Sequence, residues 1–246
     1  MLIVSVLRCG KDFTPRHAQW LHRQFGATRS VCLTDAGDIP GVETAPLLYN
    51  WPGWWAKLEL FNPQHPVIGA QDLLYIDIDT VITGDLGGLN GLSRMTMLTD
   101  FAWQGQANAP AASGIMFIPA KDKYRAWHAF TENAEAIMAE NKAPPFHGDQ
   151  GFIGQIYPDA DRWQDIFPGH IISYKANIAT PGMPGFSVKL HDGVADGSLP
   201  GEAKIVCFHG SPRPWHTALP WVPAFSLMNT LKARVKQFKR TMRRAG

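Results

Sequence analysis

Cysteine is scarce in this chain: three in 246 residues, at positions 9, 32 and 207. So few and so scattered, they build no disulfide framework and fit a reducing cytoplasm. Long apolar runs are missing as well. No stretch approaches the roughly 18 consecutive apolar residues of a membrane-spanning helix. The apolar opening, Met1 to Leu7, lacks a basic leader and a small-residue cleavage site, so it reads as a first strand and not as a signal peptide. No internal repeat is visible. Charged residues make up only 18% against 45% hydrophobic, which excludes a disordered chain and is enough for a real core in one large domain.

Acids are lacking in one place. From Lys232 to the end there are seven Lys or Arg and no Asp or Glu, which leaves 16 basic against 21 acidic residues in the body. In the same stretch Phe225, Met228, Leu231, Val235, Phe238 and Met242 recur at three- and four-residue steps. The pattern predicts a basic amphipathic helix over 224–246, appended to a domain over 1–223. It suits an anionic membrane surface with lipid-linked acceptors nearby. The competing reading is a helix docked on the acidic body. Nucleic acid is not expected as a partner, because the body is acidic and carries no known binding motif.

What the chain does have is a stretch that organises the rest: Leu73-Leu74-Tyr75-Ile76-Asp77-Ile78-Asp79-Thr80-Val81-Ile82. Its apolar start reads as a buried strand. Unpaired buried carboxylates are costly, so the strand is expected to end at a cleft where something positive meets Asp77 and Asp79. A divalent cation is the simplest candidate, since magnesium and manganese take carboxylate oxygens and bridge to substrate phosphates. The plainer reading is a strand-end turn with solvated or lysine-paired acids.

The flanking chain predicts a strand over Leu2–Leu7, a helix from Thr14-Pro15 to Phe25 closed by Gly26, and a strand over Ser30–Thr34. That βαβ unit implies a parallel sheet with ligands beyond the carboxyl ends of its strands, at the loop after Leu7, the Thr34-Asp35 turn and Asp77-Asp79. Glu43–Leu48 reads as a third strand and Ala56–Phe61 as a short helix. Strands follow at Met95–Leu98 and Gly114–Ile118, joined by a flexible connection over Gln104–Ala112. Asp122–Asn141 reads as one long helix with Tyr124, Trp127, Phe130 and Ala134 on one face. A helix start near Asp149, strands at Ile171–Tyr174 and Lys204–Phe208, and a long loop over Pro181–Gly201 complete the pattern. Trp54, Trp55 and Trp103 are candidates to stack on a sugar, with core packing the rule for most of the tryptophans. Asp100 reads as a turn acid.

Five segments in sequence order carry a family resemblance: Ala56-Lys57-Leu58, Tyr75 to Thr80, Ala112-Ser113-Gly114-Ile115-Met116, Asp149-Gln150, and His209-Gly210-Ser211-Pro212-Arg213-Pro214-Trp215. With them the chain resembles nucleotide-sugar-dependent glycosyltransferases of the GT-A fold. It is similar to the family 8 glycosyltransferases and, more closely, to a group of bacterial and phage glycosyltransferases related to them. The resemblance implies an α/β architecture with a Rossmann-like, mixed and mostly parallel central sheet flanked by helices. It implies transfer of a sugar from a nucleoside-diphosphate sugar (a UDP-sugar first among donors) to a glycan or lipid-linked acceptor, with retention, in surface polysaccharide or lipopolysaccharide synthesis. The protein would be cytoplasmic or peripheral at the inner membrane. Mn2+ (or Mg2+) would be held by Asp77, Asp79 and His209. Arg8, Thr34, Lys57, Asp77, Gly210 and Arg213 would bind the donor, Lys57 and Arg213 through its phosphates. Asp149 and Gln150 would stand near the sugar as the catalytic pair.

The sequence departs from the family pattern in three places. The family's metal histidine falls at Cys207, two residues before His209, which lies on the same face of a strand. The family's Asn is Ala112, and its closing lysine is Arg213, a forked donor in place of a point charge. Taken singly, Lys57 is an ordinary surface lysine and Asp149-Gln150 a helix cap. A haloacid-dehalogenase phosphatase would want Thr at position 81, which is Val81. A nucleotidyltransferase would want a Gly-rich loop where Arg8–Phe13 has only Gly10. A catalytically silent sugar-nucleotide or membrane-binding module is the alternative outside enzymology.

Overall fold

The structure, a computed structural model, describes residues 1–143 and 147–226. The helix expected over 224–246 thus lies almost wholly outside the described residues. The chain forms two compact units. The first is Met1–Ile78 with Leu86–Pro168, and the second is Asp79–Asp85 with the chain from Gly169 onward.

The strands in chain order are β1 (Leu2–Leu7), β2 (Ser30–Thr34), β3 (Glu43–Pro46), β4 (Leu73–Ile76), β5 (Thr80–Ile82), β6 (Thr96–Thr99), β7 (Ala111–Ile118), β8 (Asp161–Arg162), β9 (Ile171–Ser173) and β10 (Ile205–Cys207). The α-helices are α1 (Pro15–His22), α2 (Lys123–Thr131), α3 (Ala134–Glu140), α4 (Gly148–Ile156), α5 (Trp163–Ile166) and α6 (Tyr174–Asn177). The first unit holds a seven-stranded sheet in the order β3-β2-β1-β4-β7-β6-β8. From β3 to β4 neighbours run parallel, and β7 lies antiparallel to both β4 and β6. This is the mixed, mostly parallel sheet that the sequence implies. From β1 the chain builds β2 and β3 to one side and returns to β4 on the other. The carboxyl ends of β1 and β4 therefore flank the point where the strand order reverses, the place where such sheets bind ligands.

Local sequence explains these elements. Thr14 stands extended before Pro15, and the ring Nδ1 of His17 accepts its N–H at 2.9 Å, as a Glu would in a capping box. Ala18, Trp20 and Leu21 are buried along α1, and Gly26, at φ 58°, takes the left-handed turn after it. His22, at the end of α1, is buried against the sheet, with Nε2 2.8 Å from Ser5 Oγ of β1 and Nδ1 2.8 Å from Ser30 Oγ of β2.

Three expectations are corrected, and one point is added. Asp122–Asn141 is not one helix: it breaks at Asn133 into α2 and α3, and the buried face of α2 is Lys123, Ala126 and Phe130, while Tyr124 is 61% exposed. Lys123 is drawn inside because its ammonium donates to the carbonyls of Ile68 and Gly69. The strand expected from Gly114 starts at Ala111, where it pairs with Thr99 past a bulge, so Ala111 and Ala112 belong to β7 and not to the preceding connection. The helix after Trp51 is a 3-10 helix over Gly53–Phe61, buried from Trp55 onward. The apolar runs on either side of Asp77-Ile78-Asp79 are strands of different sheets, β4 and β5.

In the second unit β5, β10 and β9 form a small sheet in that order, with Cys207 opposite both Thr80 and Ser173. The Tyr174 and Phe208 rings stack behind it at 4.6 Å. The expected long loop after α6 runs to β10. Tyr174 donates to the Pro184 carbonyl at 2.8 Å, and a Cβ on Gly185 would lie 2.3 Å from Pro212 Cδ, so only glycine fits there.

Two stability measurements follow. Phe130 is fully buried against Trp51, Trp55 and Phe152. Phe130→Ala is expected to cost about 3–5 kcal/mol in urea unfolding, while Tyr124→Ala shifts it by no more than about 0.5 kcal/mol. Equal losses would reverse the face assigned to α2. Burial pushes the His22 pKa down to about 4, so the fold holds this ring neutral. The unfolded chain takes up the proton first, near pH 6.5, and the stabilisation present above that pH is lost as pH falls toward 4. Wild type should lose about 2 kcal/mol more than His22→Gln between pH 7 and 4.5, and parallel pH curves would refute this.

Candidate functional site

The first unit brings four predicted or neighbouring groups together at the carboxyl end of β4. Lys57 lies on the 3-10 helix, Asp77 follows β4, Ser113 is in β7 and Asp149 is in the first turn of α4. Lys57 Nζ is 2.8 Å from Asp149 Oδ2, 3.4 Å from Asp77 Oδ1 and 3.2 Å from Ser113 Oγ. The Ser113 hydroxyl donates to Asp149 Oδ2 at 2.6 Å, and the Tyr75 hydroxyl donates to Asp77. Lys57 is only 8% exposed, which overturns the surface-lysine reading. Burial pulls its pKa down, but the charges of Asp149 and Asp77 and the hydrogen bonds to them outweigh burial and raise it. The ammonium also lies 5.2 Å from the Tyr75 ring centre.

Glycine shapes this site at two points. The Asp77 N–H donates to the Gly114 carbonyl at 2.9 Å, and a Cβ on Gly114 would stand 3.3 Å from Asp77 Oδ2. Gly148 has φ 68°, and a Cβ there would meet the Trp54 indole Nε1 at 2.9 Å. It opens α4 beneath Trp54, which is 51% exposed. His147, not Asp149, holds the cap position of α4. Gln150 follows Asp149, half-exposed, and among the described residues it takes no part in the Lys57 network. Trp55 is a core residue stacked on Phe130, Trp103 is exposed, and Asp100 closes a turn by accepting the Ala102 N–H at 2.9 Å.

At the same sheet edge Arg8, just after β1, reaches Asp35 at 3.4 Å and donates to Asn50. Asp35 also accepts the Cys9 N–H at 2.8 Å. Thr34 ends β2, and its hydroxyl accepts the Ala36 N–H at 3.0 Å, so it shapes the turn. Behind this edge Glu59, buried on the 3-10 helix, accepts the N–H groups of Leu48 and Tyr49 at 2.6 and 3.0 Å. These contacts fix the 47–50 segment that carries Asn50.

In the second unit Asp79, immediately before β5, is paired with the Arg213 guanidinium. His209 follows β10, with Nε2 2.7 Å from Ser173 Oγ. Gly210 is left-handed at φ 74°, and its Cβ position lies 3.7 Å from the Lys175 ammonium. The predicted Asp79, His209, Gly210 and Arg213 thus stand around one end of the small sheet, and Lys175 joins them. Sequence reading missed Lys175, Ser113 as a hydrogen-bonding group, Tyr75 and Glu59. Ser113 and Tyr75 carried a signal, since both lie in segments that bear the family resemblance, and Lys175 and Glu59 carried none.

Among the described residues no three His, Cys, Asp or Glu side chains gather as a metal cage. The donor chemistry of Asp77 and Asp79 still fits a hard cation. Magnesium in particular is commonly held by one or two carboxylates and completed by water and substrate phosphates.

The buried network has a measurable signature. Lys57→Met leaves two carboxylates facing each other without their cation, and it should destabilise the fold by about 3–5 kcal/mol. Adding Asp149→Asn should recover a substantial part of that loss in a double-mutant cycle read by urea unfolding. Additive losses would mean that the two groups do not act on each other.

No family model and no curated relative matches the chain. Solved structures do. An active-site mutant of LgtC aligns over 96% of this chain and 96% of its own, with TM-score 0.56 and 14% identity. The galactosyltransferase LgtC in complex with donor and acceptor sugar analogues aligns over the same shares, with TM-score 0.54 and 14% identity. The apo form of the glycosyltransferase GlyE of Streptococcus pneumoniae TIGR4 aligns with 98% of this chain, with TM-score 0.58 and 14% identity, but the match spans only 63% of GlyE. At such identities the likeness is one of backbone, and it establishes that this chain has the GT-A-like fold of glycosyltransferases.

Proposed function

We propose that this chain is a metal-dependent glycosyltransferase that moves a sugar from a nucleoside-diphosphate sugar, a UDP-sugar first among them, to a hydroxyl of a glycan or lipid-linked acceptor. One observation carries the reading. On a fold shared with glycosyltransferases, Lys57 joins Asp149 and Ser113 to the first aspartate of Asp77-Ile78-Asp79 at the carboxyl end of the central strand. Such a constellation of buried charges serves a reacting ligand better than it serves stability, because ion pairs of this kind are often no better than apolar packing.

In the proposed reaction the acceptor oxygen bonds to the anomeric carbon as the bond to the donor phosphate breaks, and the hydroxyl proton leaves with the departing diphosphate. Manganese or magnesium, when bound by Asp77 and Asp79 with His209 as a further donor, supplies charge neutralisation to the departing diphosphate. Arg213 offers a forked, bidentate grip on phosphate oxygens. Lys57 holds Asp149 and Asp77 in place, and so takes a supporting role in place of the direct phosphate contact implied by the family resemblance. Asp149 faces the sugar, with Gln150 beside it on α4. Retention of configuration and a role in surface polysaccharide or lipopolysaccharide synthesis come with the resemblance to family 8 and rest on analogy. The basic segment 224–246 would hold the protein at an anionic membrane face.

The test is thermal unfolding with a panel of nucleoside diphosphates and nucleotide sugars, with manganese and with chelator, on wild type and Asp79→Ala. A ligand at a hundred times its Kd adds about 2.7 kcal/mol of apparent stability. One base should shift wild type in manganese alone, and the shift should vanish in Asp79→Ala. Sugar transfer or donor hydrolysis then separates an enzyme from a silent binding module. No shift with any nucleotide would sink the donor reading.

A further inference from the structure

We propose that Lys175 is a phosphate-binding residue and that with Gly210 and Arg213 it forms the anion site for the diphosphate of the donor. This rests on the donor reading above and adds to it a residue outside every motif quoted for the chain.

Lys175 is firmly placed. Ser173 ends β9, and its hydroxyl accepts the N–H groups of Lys175 and Ala176 at 3.1 and 3.2 Å while lying 2.7 Å from His209 Nε2. The preceding Tyr174 is fully buried, and its ring is stacked on Phe208. Lys175 is thereby tied to the segment that follows β10. Its ammonium comes to rest over the left-handed Gly210, at van der Waals distance from where a side chain would begin. A larger residue at 210 would stand between the ammonium and the main chain.

Lys57 and Lys123 are buried, and Lys175 is half-buried. Lys57 has two carboxylates and a hydroxyl. Lys123 has two carbonyls. These are the partners that a structural lysine finds, since a buried ammonium without them is costly. Lys175 is half-buried, yet its ammonium makes no hydrogen bond and no ion pair with any described residue. Asp79, the carboxylate nearest in effect, is already paired with Arg213. Burial lowers the Lys175 pKa, the Arg213 charge lowers it further, and Asp79 only partly offsets them. Two cations, Lys175 and Arg213, thus stand near Asp79 and beside a glycine that admits close approach, and the Lys175 ammonium has no anion of its own among the described residues. A diphosphate supplies one, with oxygens for the ammonium and for the guanidinium at once.

Calorimetric titration of inorganic pyrophosphate, UDP and uridine into the full chain, with manganese present, tests this on wild type, Lys175→Met and Lys175→Arg. Lys175→Met should weaken pyrophosphate and UDP about 10- to 100-fold, the range for a lost charged hydrogen bond, and leave uridine unchanged. Lys175→Arg should recover most of the loss. The wild-type UDP affinity should also fall more steeply with salt than that of Lys175→Met. If Lys175→Met binds pyrophosphate and UDP as wild type does, the proposal fails and the donor reading stands. If uridine weakens in step with UDP and the melting temperature drops, the residue serves packing, and the proposal also fails. If wild type binds neither pyrophosphate nor UDP, nor any nucleotide of the thermal panel, the donor reading itself falls.

Discussion

The first unit depends on a single ammonium placed out of water. Lys57 stands between Asp149 and Asp77 with the Ser113 hydroxyl closing the ring, and these four residues come from a 3-10 helix, the end of β4, β7 and α4. Each charge would be costly alone in that position, and together they make an arrangement in which no member can be turned without exposing another. The geometry also sets the direction of the carboxylates. Asp149 gives one oxygen to both Lys57 and Ser113, and Asp77 gives one to both Lys57 and Tyr75, so the remaining oxygens are left for other work.

The second unit solves a different problem. Its small sheet carries little chemistry of its own, but its ends bring a carboxylate, two cations, a histidine and a left-handed glycine into one neighbourhood. The two acids of Asp77-Ile78-Asp79 fall on either side of the division between the units, and each answers a different cation. Asp77 is set by a buried lysine in a closed ring, and Asp79 by an arginine with part of its surface in solvent. Two carboxylates separated by one residue of chain can therefore differ in how readily each changes partner.

Much of this was legible in the sequence, for reasons tied to particular residues. The β1-α1-β2 unit declared itself through Thr14-Pro15 and two short apolar runs, and the strand before Asp77 through its unbroken apolar stretch. The acids marked its end because a buried strand does not end in two carboxylates without cause. Other features were hidden by competing physics. Tyr124 looked like a core residue by spacing, but Lys123 found carbonyl partners and took the inside, and Asn133 ended the helix early. Lys57 looked like a surface residue because its partners are 20 and 92 positions away in the chain. Ala111 and Ala112 looked like part of a connection because small residues carry no periodic signal, and only pairing with β6 made them strand. Lys175 sits in a stretch without motif or pattern, and only the fold brings it beside Gly210.

The loop between α6 and β10 is held at few points: Gly185 seated on Pro212, the Tyr174 hydroxyl on the Pro184 carbonyl, and Asp192, whose N–H reaches the Ala176 carbonyl at 3.0 Å. Past Asp192 the chain runs exposed through Gly193 and Val194. Lengthening a surface loop costs only about 0.6 kcal/mol per doubling. Evolution can thus lengthen, shorten or rewrite the stretch beyond Asp192 while the anchors keep Pro212, and with it Arg213, where they are. The protein has in this loop a socket for variation, in which new sequence can be tried without disturbing the residues that grip charge.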